Sequence, residues 1–353
     1  MQIDFKNFDI KNILPRTEFE KKVLQFLQDW FSDSETVSVQ TSGSTGIPKV
    51  FEIEKKRMLN SAKMTCDFLG LKEGDTALLC LPVQYISGKM MLVRAIERKL
   101  KVIISVPSSA PEISQNIDFC AMTPLQVQNS LDKIHFIKNL IIGGAAVSEN
   151  LKSQLTSSIQ HPASNKIYET YGMSETLSHI ALKQISPIQE EYFTVLNDVE
   201  ISVDERNCLK IFAPKLNPEI LQTNDIVELM HFDSAQGDKK QFKFLGRFDN
   251  VINSGGVKIF AEELENLVKK HIDKDLVFLG KPDETLGEKL ILVIEDKLFS
   301  ESCQSERSRR LKSQISNLKF ENKFHSPKEI LFLEKFPRAE NGKVLRKEIL
   351  KLI

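Results

Sequence analysis

Apolar positions change period repeatedly along this chain, and each change marks an element. Phe19, Val23, Phe26, Leu27 and Trp30 fall at i, i+4, i+7, i+8 and i+11, one face of a helix over 18–31. Thr36-Val37-Ser38-Val39 and Val50-Phe51-Glu52-Ile53 alternate instead and predict two strands. A helical stretch follows over 55–69, with Gly70 placed to end it. Continuous apolar runs at 75–81, 101–106, 119–122 and 139–142 predict buried strands, and 88–99 predicts a helix with Met90, Met91, Val93, Ala95 and Ile96 inward. Strands alternating with helices imply α/β units and a largely parallel sheet.

From about Glu191 the pattern shortens. Residues 199–203 and 209–212 alternate between polar turns, which predicts a short-stranded antiparallel region, with 222–225 as a loop before a strand at 226–229. A glycine-rich, charged stretch over 246–259 leads into a helix at 261–271 that is acidic in its first turn and basic in its last. A junction near Asp249 divides the chain into 1–248 and 249–353. The second part holds strands at 276–279 and 290–294, a charge-rich helix at 305–318, and an Asn341-Gly342 turn presenting Lys343.

A length of 353 residues fits two units, and 41% hydrophobic with 27% charged residues is ordinary for a soluble globular enzyme. The 48 basic and 48 acidic side chains cancel, which gives no electrostatic footprint for nucleic acid or a membrane surface. Cys66, Cys80, Cys120, Cys208 and Cys303 are dispersed and lack CxxC spacing, so free buried thiols are expected rather than a zinc site. With no signal peptide or membrane-length apolar run, a cytoplasmic location is expected.

Chemistry concentrates in a few loops. Thr41-Ser42-Gly43-Ser44-Thr45-Gly46-Ile47-Pro48-Lys49 packs hydroxyls, two glycines and a lysine between two strands. Backbone N–H groups at such a loop can approach phosphate oxygens, although its spacing is not that of a Walker A loop and a polar hairpin is the plainer alternative. Gly143-Gly144-Ala145-Ala146 follows an apolar strand and permits flat contact with a heterocycle, or simply makes a tight turn. Tyr171-Gly172-Met173-Ser174-Glu175-Thr176 offers an aromatic face, a hydroxyl and a carboxylate in one short loop, which suits a nucleotide with magnesium.

Taken in order, TSGSTGIPK, GGAA, YGMSET, Thr223-Asn224-Asp225, GRFDNVINSGGVKI and PRAENGK resemble the motifs of the adenylate-forming acyl- and aryl-CoA synthetase family. The resemblance implies a large N-terminal α/β domain with a short-stranded β subdomain, and a small mobile α+β C-terminal domain. It implies ATP, Mg2+ and coenzyme A as partners of a small carboxylic acid, and leaves a homodimer open. By the match, Thr41 to Gly46 and Lys49 would hold phosphates, and Tyr171 and Gly172 would lie at the adenine with Gly144, Ala145 and Ala146. Ser174 would bond a phosphate, Glu175 would ligate magnesium, and Asp225 with Arg247 would bind the ribose. Lys343 would be the catalytic lysine of adenylation, with Lys49 and Glu175 also catalytic. Asp249 would be the hinge, and Ser254, Gly255 and Gly256 would serve the CoA side.

Residues 81–91 and 171–181 are similar to the acid-pocket segments of the o-succinylbenzoate–CoA ligases of menaquinone biosynthesis. That similarity makes Tyr85, Ser87, Ser178 and His179 candidates for the acid side, with Lys89 a weaker one and His179 equally readable as a satisfied core histidine. Competing readings are a ligase for another carboxylate, an adenylation unit loading a carrier-protein thiol, and a retired nucleotide-binding protein. Two departures stand out. Only 40 residues precede the first motif, so the start of the first domain is expected to be truncated, and Asn224 stands where glycine is usual.

Overall fold

The helix Glu18–Trp30 opens on a capping box, in which Thr17 accepts from Glu20 N–H while the Glu20 carboxylate accepts from Thr17 N–H. Its buried face is Phe19, Val23, Phe26, Leu27 and Trp30, the stripe read from the sequence. The helix Lys55–Leu69 ends at Gly70 in the left-handed conformation. The computed structural model describes residues 1–40, 50–158, 165–230, 240–296, 306–320, 322–338 and 344–353.

Among the described residues, twelve strands form one mixed sheet. Its parallel part runs Lys101–Ile104, Thr76–Leu79, Ile117–Met122, Ile137–Ile142 and Lys166–Gly172, side by side in that order. Gln2–Asp4 pairs antiparallel on the outer edge of Lys101–Ile104. Beyond Lys166–Gly172 the sheet continues antiparallel through His179–Ser186, Phe193–Val195, Gln241–Arg247, Asn217–Leu229, Cys208–Ala213 and Glu200–Val203. The expected parallel sheet is present over those five parallel strands, and the short-stranded antiparallel region expected from about Glu191 follows it. The short strands after Glu191 extend the same sheet, and those joined by the links 204–207 and 214–216 pair antiparallel, since so few residues cannot make the crossover a parallel pair needs.

Thr223-Asn224-Asp225 is not the loop expected from its polarity. It lies inside the long strand Asn217–Leu229, at a bulge where Cys208 pairs Ile226 and Lys210 pairs Gln222. Thr36–Gln40 and Val50–Glu54 make a separate antiparallel pair.

Ile252 onward builds its own five-stranded sheet and its own buried clusters, one around Phe278, Leu292 and Ile315 and one around Val293, Phe336 and Ile349. The strand Leu276–Asp283 forms a hairpin with Gly287–Glu295. Leu311 and Ile315 are buried, so the charged helix Glu306–Ser316 has an apolar seam as well as a solvated face. Cys66, Cys80, Cys120 and Cys208 are free and buried. No helix among the described residues is long and apolar enough to cross a membrane.

Candidate active site

The strand Lys166–Gly172 carries Tyr171 to the end of the parallel part of the sheet, and the strand bulge turns Asp225 toward it. The Tyr171 hydroxyl donates to Asp225 Oδ2 at 2.6 Å. Its ring stands edge-on to Phe242 at 5.0 Å and lies 5.8 Å from Phe193. Burial, then the Asp225 charge, pushes the Tyr171 hydroxyl well above its ordinary pKa, so it stays a proton donor. Asp225 N–H donates to Thr223 Oγ1 at 3.0 Å, and Thr223 donates onward to Leu209 O at 2.9 Å, which fixes the bulge. Arg247 Nη1 lies 3.9 Å from Asp225, and Arg247 Nη2 donates to Asp249 at 3.2 Å.

Gly144, Ala145 and Ala146 are exposed in the loop after Ile137–Ile142, and Gly144 adopts φ +86°, a conformation glycine takes without steric cost. The loop closes where Val147 N–H donates to Glu169 Oε1 at 3.0 Å. Gly172 ends its strand, and Ser174 and Glu175 begin one short helical turn, Ser174–Thr176, both exposed. Asn217 Nδ2 donates to Glu175 O at 3.1 Å and ties that turn to the neighbouring strand. An aromatic wall, a carboxylate that already accepts from a hydroxyl, a small-residue shelf and an exposed carboxylate are together the chemistry a nucleoside phosphate with a hard cation needs.

A second cluster lies across the same strand end. Leu177 has φ +64°, unusual for a non-glycine, and this kink aims Ser178 and His179 inward. His179 Nε2 is 3.0 Å from Thr65 Oγ1, and Nδ1 is 3.4 Å from Ser178 Oγ. Ser178 Oγ accepts from Arg94 Nη2 at 2.7 Å. Burial, reinforced by the Arg94 charge, holds the His179 imidazole well below its ordinary pKa and therefore neutral.

Arg94 was not among the residues singled out by sequence. It is 2% exposed, its Nε has no hydrogen-bond partner, and no acidic side chain among the described residues pairs with it. Burial lowers its pKa to about 10, which still leaves it charged at neutral pH. An uncompensated buried guanidinium costs several kcal/mol, and an incoming carboxylate would relieve that cost. The signal was present as a lone charge in the apolar run Met90-Met91-Leu92-Val93-Arg94-Ala95-Ile96.

Ser87 and Arg94 lie on the helix Ile86–Arg98, seven residues apart and so on one face. Ser87 is exposed and Tyr85 is the residue before the helix, where its backbone bridges to Gln40, immediately ahead of the 41–49 segment. Lys89 does not serve this cluster. Its ammonium sits 4.9 Å from the centre of the Phe26 ring, on the side of the first helix.

Asp249 accepts weakly from Asn224 Nδ2 at 3.4 Å through both oxygens, besides its bond with Arg247. Arg206 donates to Asn224 Oδ1 at 3.1 Å and lies over the Phe248 ring. Asn224, in place of a glycine, thus joins the bulged strand to the Asp249 turn. Ser254 is buried, and Gly255 and Gly256 form the tip of the hairpin between Val251–Ser254 and Val257–Phe260. A side chain at Gly255 would press on the Phe324 ring at 3.3 Å. Thr41, Ser42, Gly43, Ser44, Thr45, Gly46, Lys49 and Lys343 lie outside the described residues. An open cavity of about 460 Å³ near Asp198, Phe212 and Lys215 includes none of the residues singled out above.

Relatives carry the same architecture. The acyl-CoA synthetase (AMP-forming)/AMP-acid ligase II-like protein from Dyadobacter fermentans DSM 18053 is 31% identical, over 100% of this chain and 99% of that one, with a TM-score of 0.65. The o-succinylbenzoate coenzyme A synthetase (MenE) from Bacillus subtilis, in complex with ATP and magnesium ion, shares the fold with a TM-score of 0.66 at 19% identity, over 89% of this chain and 69% of that one. The 2-succinylbenzoate–CoA ligase of Listeria monocytogenes serotype 4b (strain F2365) is 25% identical over 363 aligned positions, covering 95% of this chain and 73% of that protein. A family model described as AMP-binding enzyme matches residues 3–207, the part that contains the Arg94 cluster and Tyr171 itself, with Asp225, Phe242 and Arg247 lying beyond it. With its motifs in order and this match over more than half its length, the chain belongs to the AMP-binding enzyme family.

Proposed function

We propose that the protein is an ATP-dependent acid–thiol ligase that adenylates an aryl carboxylic acid bearing a second carboxylate, o-succinylbenzoate being the best fit, and transfers the acyl group to coenzyme A. The observation that carries the choice of acid is Arg94, a buried cation with no acidic partner among the described residues, beside Ser178 and a neutral His179. A monocarboxylic substrate would leave that charge unmet. The curated relatives named 2-succinylbenzoate–CoA ligase support the same reading.

A carboxylate is a poor electrophile because its leaving oxygen is anionic. In the proposed first step a substrate carboxylate oxygen attacks the α-phosphorus of ATP, the bond to the β-phosphate oxygen breaks, and pyrophosphate leaves. In the second, the CoA thiolate attacks the acyl carbon, a C–S bond forms, and AMP leaves. Tyr171 and the Gly144–Ala146 shelf would hold the base, Asp225 the ribose hydroxyls, and the 41–49 segment the outer phosphates. Glu175 would hold Mg2+, a cation that takes few carboxylates alongside substrate phosphates and, when bound, neutralises phosphate charge. Lys343 would offset the negative charge that gathers between the carboxylate and the α-phosphate. Residues from Asp249 onward would turn as a unit between the two steps, removing Lys343 and bringing Ser254, Gly255 and Gly256 to the thiol entrance.

Steady-state kinetics of Arg94→Met and Arg94→Lys test the acid assignment. For o-succinylbenzoate, Arg94→Met is expected to lose about 100-fold in kcat/KM, the upper range for a charge-assisted hydrogen bond, with Arg94→Lys recovering part of it. Benzoate turnover should change far less. Equal losses for both acids would remove Arg94 from substrate recognition.

A further inference from the structure

Glu169 is a buried carboxylate that the proposed chemistry does not use. It is 7% exposed on the strand Lys166–Gly172, two residues before Tyr171 and so on the same face of the sheet. One oxygen accepts from Val147 N–H at 3.0 Å. The other lies 3.1 Å from Lys183 Nζ and 3.5 Å from Lys152 Nζ. Lys183 is its direct cross-strand partner, and the Lys183 ammonium also lies 4.3 Å from the centre of Phe193, whose ring neighbours Tyr171. Lys152 is in turn paired with Glu149 at 2.8 Å, on the helix that follows the Gly144–Ala146 shelf. Two carboxylates and two ammonium groups thus balance in a cluster of which Glu169 is the buried centre and the other three are partly exposed. Burial alone would raise the Glu169 pKa; Lys183 and Lys152 outweigh it and hold the carboxyl below its ordinary range, so it stays ionised.

We infer that Glu169 is a positioning residue of the nucleotide site, which ties the Gly144–Ala146 shelf to the strand that carries Tyr171 and so sets the gap between the two walls of the base slot. The inference rests on the proposed nucleotide site. Its geometric basis is that a single side chain bonds Val147, the residue that directly follows the shelf, and belongs to the same strand as the Tyr171 ring. Thr170 strengthens the tie, its hydroxyl donating to Ile142 O at 3.1 Å just ahead of the shelf. A slot held at fixed width favours one base, so the effect of loosening it falls on the nucleotide and not on the acid.

The test is binding and turnover with ATP and GTP for the wild type, Glu169→Ala, Glu169→Gln and Lys183→Met. Calorimetric ATP binding by the wild type examines the nucleotide site itself; its absence would overturn both readings. Given that binding, Glu169→Ala should raise KM for ATP about tenfold or more and narrow the ATP-to-GTP preference, with KM for the acid within about twofold of wild type. Glu169→Gln keeps an acceptor for Val147 and should recover part of the loss, and Lys183→Met should move in the same direction as Glu169→Ala. Unchanged ATP affinity and base preference in a folded Glu169→Ala protein, or in Lys183→Met where Glu169→Ala does not fold, would overturn the inference alone. Parallel losses for ATP and acid in all three variants would also overturn it, by reducing the cluster to a fold-stabilising role.

Discussion

At the scale of single residues, burial decides which groups carry charge beside the proposed acid site. Arg94 keeps its proton, His179 gives its proton up, and Ser178 bridges them. The imidazole has a consequence for stability. In the unfolded chain it titrates near pH 6.5, and in the fold its pKa lies well below that, so between the two values the unfolded chain binds the extra proton. Stability is therefore fully present above about pH 6.5 and falls as the pH drops below it, by about 1.4 kcal/mol per pH unit for this one group. Urea unfolding of the wild type and His179→Gln between pH 7.5 and 5.5 reads this directly. Across that range the wild type should lose about 1.4 kcal/mol more than the variant, since the full slope is reached only well below pH 6.5, and identical losses would contradict the burial argument. These details were only partly legible in the sequence. His179 was visible as a candidate, but its neutral state depends on burial and on Arg94, which is distant in the chain and meets it only in the fold.

At the scale of elements, local rules were the readable part. Gly70 as a helix end and the stripe from Phe19 to Trp30 follow from one turn of chain at a time, and both hold. The Thr223–Asp225 strand did not follow, because its polar residues look like a loop until the register with Cys208 and Lys210 is known. Gly172 illustrates the same dependence. A Cβ there would lie 2.4 Å from Ser178 O and 2.5 Å from His179 Cα, which are backbone atoms with little room to give. Gly172→Ala is expected to cost about 3 kcal/mol, at the upper end for overpacking. Because the displaced backbone carries Ser178 and His179, it should raise KM for the acid as well. Thermal unfolding and acid titration of the variant check this; a fold and acid affinity like wild type would mean the strand end relaxes freely.

At the scale of the whole molecule, the central feature is one mixed sheet that passes from parallel to antiparallel at the strand bearing Tyr171, followed by a second body of sheet and core from Ile252 onward. The alternation of strands and helices made the parallel part legible. The antiparallel continuation was read as a region of its own, since sequence shows that strands are short but not which sheet they join. The proposed division of labour between the two parts predicts a split between half-reactions. Lys343→Ala should abolish acyl-adenylate formation, followed as acid-dependent exchange of pyrophosphate into ATP, while transfer from preformed acyl-adenylate to CoA stays within about threefold of wild type. Loss of both steps together would remove the alternating role from this lysine.

The most direct measurement is a mass-spectrometric search for CoA thioesters, with the protein, ATP, Mg2+, CoA and a panel of acids that includes o-succinylbenzoate, benzoate, phenylacetate and fatty acids. A dominant o-succinylbenzoyl-CoA product is the predicted result. A dominant thioester of a monocarboxylic acid, or none from any acid, would contradict the role given to Arg94 and with it the proposed reaction.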